Sequence, residues 1–168
     1  MAVVNTEHCF VYLAHPHTAS RAAVRALLDI EGSREVAAHH SVLDDVVAEC
    51  PAAAGYLNVF TIVRHPFDWL VSRFHCTGGN RGEWDDWLRR RPSRPIFGRF
   101  LGQATEFGKY ESLQADLERL TQCPIHLNRE SEHETRGKPR NYRKCWTKEQ
   151  ATWGRQRFDA DFTEWQYE

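Results

Sequence analysis

The sequence predicts an α/β domain in three layers, a short parallel sheet flanked by helices, and two observations carry that expectation. The first is an apolar run rich in β-formers, Phe10-Val11-Tyr12-Leu13-Ala14, that stops at a Pro-containing turn and passes straight into a helix-forming run. The second is that the chain repeats this design. Tyr56–Val63 is apolar enough to be buried on both faces, ends at Arg64-His65-Pro66, and leads into a helix carrying Phe67, Trp69, Leu70, Val71 and Phe74. Two buried strands, each followed by a helix, imply parallel strands whose ligands sit beyond the strand carboxyl ends.

Taken in order, residues 1–7 read as a short, poorly fixed lead-in. The first strand covers about His8–Ala14 and the first helix about Ala19–Ile30, ended by Gly32. Val42–Cys50 places Leu43, Val46 and Val47 on one helical face, and Pro51 stops it. After the second unit ends near Gly78-Gly79 the pattern is less regular. Trp84, Trp87 and Leu88 suggest a short helix, and Pro92 and Pro95 break the chain. Thr105–Tyr110 is a further strand candidate, Glu111–Thr121 a helix with Leu113, Leu117 and Leu120 inward, and Cys123–Leu127 a weak strand candidate. Asn128–Lys144 is polar and basic and reads as a surface loop. Thr147 with Gln150 forms a capping-box pattern for a last helix over about Lys148–Phe158, after which Phe162, Trp165 and Tyr167 pack a terminal segment.

Composition bounds the partners. A chain of 168 residues with 41% hydrophobic and 27% charged content fits one domain, residues 1–168, with a sizeable core. A formal net charge of −1 gives no global reason to expect nucleic acid, and no apolar run approaches a membrane span. Five widely spaced cysteines outside CxxC pairs read as free thiols in a reducing compartment, hence a cytoplasmic location. They also make a structural zinc site improbable.

The chemistry concentrates at the two turns. A strand–turn–helix aims backbone N–H groups and a positive helix end at one spot, which suits a phosphate or sulfate. His17, Thr18, Ser20 and Arg21 add side-chain donors there, and Arg64 at the end of the second strand can fork onto phosphate oxygens. Ser72 lies about two helical turns further along. His39 and His40 are candidates for proton abstraction at neutral pH.

These elements resemble the bacterial branch of the sulfotransferases that use 3′-phosphoadenosine 5′-phosphosulfate (PAPS). Pro16-His17-Thr18-Ala19-Ser20-Arg21 is similar to that family's 5′-phosphosulfate loop, P-K-T-[AG]-[GS]-T. Phe60-Thr61-Ile62-Val63-Arg64-His65-Pro66-Phe67-Asp68-Trp69-Leu70-Val71-Ser72 is similar to its 3′-phosphate motif, F-x-x-V-R-x-P-[YFW]-D-R-L-V-S. Gly108-Lys109-Tyr110-Glu111-Ser112-Leu113-Gln114-Ala115-Asp116 is similar to g-R-[FY]-E-x-L-x-x-D.

The resemblance implies a P-loop-like sulfotransferase fold and an enzyme that moves a sulfuryl group from PAPS to an acceptor hydroxyl or amine, with PAP as product and no metal. It places His17, Thr18, Ala19, Ser20 and Arg21 around the 5′-phosphosulfate, and Arg64 and Ser72 on the 3′-phosphate. The basic run from Arg136 to Lys144 reads either as a solvated loop or as a flap over the 3′-phosphate with Arg136, Lys138 or Arg140 as cations. By the resemblance His17 would sit at the bridging oxygen and His40 would be the base. The acceptor would be a carbohydrate or other small molecule, and the oligomeric state is left open. Two departures matter. His17 stands where the family has lysine, and Arg21 replaces a small hydroxyl residue. They keep open a second reading, a sulfotransferase-like domain that binds PAP, PAPS or another nucleotide without transfer. A P-loop kinase relative is a third, disfavoured by the lack of a GxxxxGK[ST] stretch.

Overall fold

The computed structural model describes residues 1–38, 41–55, 58–91, 95–98, 102–127 and 141–168. They gather into two compact units, Met1–Arg64 with Arg99–Glu132, and His65–Gly98 with His133–Glu168.

The first unit is an α/β assembly around a five-stranded sheet. Its strands are β1 (Ala2–Asn5), β2 (Phe10–Leu13), β3 (Ser33–Val36), β4 (Asn58–Val63) and β5 (Glu106–Lys109), in the spatial order β3-β1-β2-β4-β5. β2, β4 and β5 are parallel, while β1 runs antiparallel to both of its neighbours, β2 and β3. The sheet is therefore mixed, which corrects the expectation of a purely parallel one.

The cause is the segment read as a lead-in. Ala2–Asn5 is a fully buried strand inside the sheet, hairpinned onto β2 with Val3 opposite Tyr12 and Val4 opposite Val11. Four residues carry too little periodicity to betray it. Their burial comes from having a strand on each side. Asn5 secures the arrangement: its amide donates to the Glu31 carbonyl at 2.8 Å and the Ser33 hydroxyl at 2.9 Å, and its Oδ1 accepts the His8 N–H at 2.7 Å. β3 was also not anticipated, because Ser-Arg-Glu-Val is mostly polar and only Val36 is buried, at the sheet edge. The suggested strand at Cys123–Leu127 is absent; that stretch is irregular, with Cys123 and Ile125 buried.

Strand alternation sorts side chains to two faces. Val3, Phe10, Tyr12, Phe60 and Ile62 pack with Ala23, Val24 and Leu27 of α1 (Ser20–Leu28) and Leu113, Leu117 and Leu120 of α5 (Leu113–Thr121). Ala2, Val4, Val11, Leu13 and Val59 pack with Val46 of α2 (Leu43–Glu49) and with Cys50 and Ala53 behind it. Helices thus cover both faces.

Close packing of α5 on the sheet depends on Gly108 in β5. A Cβ there would lie 2.8 Å from both Asp116 Cβ and Ile62 Cδ1. Gly108→Ala is therefore expected to destabilise the first unit by about 1–3 kcal/mol through overpacking, measured as a lower urea midpoint in far-UV circular dichroism.

The second unit is helical, built from α3 (Pro66–Cys76), α4 (Trp84–Arg89), α6 (Lys148–Arg157) and α7 (Asp159–Glu164). Thr147 and Gln150 cap α6 reciprocally, as their spacing implied, whereas α7 makes a separate helix of the tail. Aromatic rings fill this unit. Phe67 stacks on Trp146 at 4.1 Å, and the His65 ring lies 5.0–5.6 Å from Tyr142, Tyr167, Phe162 and Phe67. All six tryptophans fall within it, so indole fluorescence reports this unit.

Asp161 is buried, and its two oxygens accept the N–H groups of Ile96 (2.8 Å) and Phe97 (3.1 Å). Burial pushes its carboxyl up to about 6, outweighing those two bonds, which favour the anion. A raised folded-state pKa means that the stabilisation is complete below the ordinary carboxyl range and is lost as pH rises through 6. The stability advantage of wild type over Asp161→Asn is thus expected to shrink by roughly 2 kcal/mol between pH 4 and 7, followed by tryptophan fluorescence in urea. An invariant difference would show that the ionised form is fully accommodated.

Candidate anion-binding site at the strand ends

Because β2, β4 and β5 are parallel neighbours, residues 14–19, Arg64 and Tyr110 all leave the sheet at one edge of the first unit. The β2–α1 loop has an unusual backbone. His17 (φ 64°) and Ala19 (φ 57°) are both left-handed, with Thr18 between them. Each L-residue held this way costs roughly 1–2 kcal/mol, so the surroundings must impose the shape. Thr18 does so from within, fully buried, its hydroxyl donating to the His15 carbonyl at 2.7 Å.

Arg64 does so from the next strand. It is buried, its Nη1 donates to the His17 carbonyl at 3.0 Å, and its guanidinium carbon lies 4.0 Å from the centre of the Tyr110 ring. Tyr110 is itself placed by Asp116, which accepts the Lys109 N–H at 2.9 Å and the Ser112 hydroxyl at 2.5 Å. Burial alone would raise the Asp116 carboxyl, but the Ser112 hydroxyl, the Lys109 N–H and Arg119 together hold it below the ordinary range. A line of support therefore runs from Asp116 through Tyr110 and Arg64 to the His17 peptide.

The loop opens onto α1, whose N-cap, Ala19, provides no side-chain hydrogen bond, and whose first turn contains no acidic residue. The first-turn N–H groups precede the first helical bond, from Ala23 N to Ala19 O, and point past the loop. Left-handed residues alternating along a loop that feeds an uncapped helix start form a concave array of donors suited to an anion. Beneath it lies Tyr12, fully buried, whose hydroxyl meets no partner at full hydrogen-bond geometry among the described residues. Burial pushes that phenol far up, with the Thr18 hydroxyl opposing.

The structure thus brings together His17, Thr18, Ala19, Ser20 and Arg64 in one unit, with Arg21 exposed beside them on α1. Thr18 serves the loop's shape with its hydroxyl rather than presenting it outward. Ser72 is buried on α3 in the second unit and carries its phosphate assignment from the motif alone. At the start of α3 the His65 Nδ1 accepts the Phe67 N–H at 3.2 Å. His39, His40, Arg136, Lys138 and Arg140 lie outside the described residues.

Tyr12 and Tyr110 were not singled out from the sequence. Tyr110 stood inside a quoted motif, but only the β4–β5 pairing shows that it meets Arg64. Tyr12 looked like any other residue of a buried strand.

No protein-family model, curated protein or solved structure matches this chain. Among the described residues, no helix is long and apolar enough to cross a membrane.

Proposed function

We propose that the chain binds PAPS and transfers its sulfuryl group to an acceptor hydroxyl or amine of a small molecule such as a carbohydrate. The observation that carries this reading is the β2–α1 loop: two left-handed residues leading into an uncapped helix start and braced by a buried arginine from the neighbouring parallel strand. That is a site for a tetrahedral anion, and the motif order supports a nucleotide that carries a 5′-phosphosulfate.

In the transfer, the bond from sulfur to the bridging phosphate oxygen breaks and a bond from sulfur to the acceptor forms. PAP leaves, and the acceptor proton passes to a base. The backbone N–H groups at Ala19, Ser20 and Arg21 would hold the 5′ end. His17, as imidazolium, would stabilise the charge growing on the bridging oxygen, the task of the family's lysine. Arg64 would keep its bond to the His17 carbonyl and direct further donors at phosphate oxygens. His40 would take the acceptor proton.

A second reading, nucleotide binding without transfer, is favoured by His17, a shorter and weaker cation than lysine, held half-buried at a left-handed position.

Calorimetric titration with PAP and PAPS, with ATP as control, tests the proposal. Micromolar PAP binding, not matched by ATP, followed by sulfate transfer to a panel of acceptors, is the expected result. Binding without transfer to any acceptor, unrestored by His17→Lys, selects the second reading. No binding of either nucleotide removes both.

A further inference from the structure

The second unit holds a cavity of about 540 Å³ between the end of α3 and α4, within the size range of small-molecule sites. Its walls combine three arginines, Arg73, Arg90 and Arg91, with the indole of Trp87 and the carboxylates of Glu83 and Asp86. None of the residues assigned to the nucleotide lines this cavity.

Arg91 is the informative residue. It is half-buried, and its backbone is anchored on both sides: its N–H donates to the Leu88 carbonyl at 3.1 Å, and its carbonyl accepts from the Arg157 guanidinium. The Arg91 guanidinium carbon lies 4.6 Å from the centre of the Trp87 ring and 5.8 Å from that of Trp69. A guanidinium laid on an indole keeps its edge N–H groups turned outward in a fixed fork, the geometry that suits an oxyanion.

No carboxylate pairs with Arg91 among the described residues, although two line the same cavity. Asp86 faces Arg90 at 3.9 Å on the exposed rim, and Glu83 accepts the Asn80 N–H at 3.2 Å. Burial, and then the charge of nearby Arg73, make Arg91 harder to protonate. The Arg73 charge bears on the Arg91 guanidinium within one partly desolvated hollow, a repulsion that an anion placed between them would relieve.

We propose that this cavity binds a small organic anion through Arg91 and Arg73. The ligand class is a hydroxylated body bearing one oxyanion group: a carboxylate, a sulfate ester or a phosphate ester. The cavity is several times larger than a bare inorganic anion needs. Asp86 and Glu83 on the other wall accept hydrogen bonds from hydroxyl groups on the ligand.

The test titrates the full chain with glucuronate, glucose 6-sulfate and glucose 6-phosphate, with glucose and inorganic sulfate as controls, followed by tryptophan fluorescence. At least one of the three anionic sugars is expected to bind saturably, at least about tenfold more tightly than glucose or inorganic sulfate. Arg91→Gln and Arg73→Gln are each expected to weaken that binding at least about tenfold with an unchanged melting midpoint, and Arg91→Lys to recover part of it. The preferred ester or carboxylate identifies the oxyanion.

No saturable binding below roughly 20 mM overturns the proposal. So does inorganic sulfate binding as tightly as the sugars, or affinity indifferent to both glutamine variants. If a variant fails to fold, the wild-type protein decides through its indole N–H resonances. A ligand-induced shift of the Trp87 signal, assigned with Trp87→Phe, supports the site. Shifts confined to other indoles overturn it.

Discussion

Arg64→Ala is expected to lower PAP affinity at least about a hundredfold, the largest functional effect of any single substitution in the loop region. Two losses combine. The guanidinium donors to phosphate oxygens disappear, each charge-assisted bond being worth about 1.5–3 kcal/mol. The brace on the His17 carbonyl also goes, so the strained left-handed peptide relaxes and the donor array loses its shape.

Arg64→Lys separates the two. It keeps a charge but loses the planar guanidinium that bonds the His17 carbonyl and lies over Tyr110, and a roughly tenfold loss is expected. Both variants are titrated calorimetrically beside wild type. Circular dichroism confirms that the sheet persists, since leaving the His17 carbonyl without its donor costs about 1–3 kcal/mol of stability. An unchanged PAP affinity in folded Arg64→Ala would remove Arg64 from the binding site and leave it a purely structural brace.

Val3→Asp is expected to unfold the first unit. Val3 is fully buried in β1, among Phe10, Tyr12, Leu27 and the other residues on that face of the sheet. A carboxylate there loses its hydration without gaining a partner, a cost of several kcal/mol that approaches the whole stability of a domain. Val3→Ala, which removes only methyl groups, is expected to cost about 1–3 kcal/mol. Glu35→Ala serves as control: its residue pairs with Val3 across the sheet but is exposed, so an effect within about 0.5 kcal/mol is expected. Far-UV circular dichroism and amide exchange on the sheet are the measurements to use, because the tryptophans lie in the other unit. A folded, fully protected sheet in Val3→Asp would show that β1 does not contribute to the core.

Residues 2–5 show where sequence reasoning stopped. β4 was legible because five apolar or β-branched residues, Val59 to Val63, run together and are bounded by a turn. α1, α5 and α6 were legible from their apolar spacing or their caps. β1 and β3 were not, because each is four residues long and owes its place to pairing with the other and, for β1, with β2. A short strand has no local signal that distinguishes it from a tail. Its free energy lies in contacts distant along the chain.

The same division runs through the candidate site. By itself the sequence determined that two strand–turn–helix units exist, that Pro16 and Pro66 end the strands' reach, and that His17, Ser20 and Arg64 stand at the strand ends. Those are local properties, set by side-chain periodicity and by proline's missing N–H. Tertiary structure alone decided that the sheet is mixed and that Thr18 spends its hydroxyl inside the loop. It also decided that Arg64 grips the His17 carbonyl while lying on Tyr110, and that the Tyr12 phenol is buried beside Thr18. Each of these joins residues tens of positions apart, and which donor meets which acceptor depends on strand order, which no local pattern encodes.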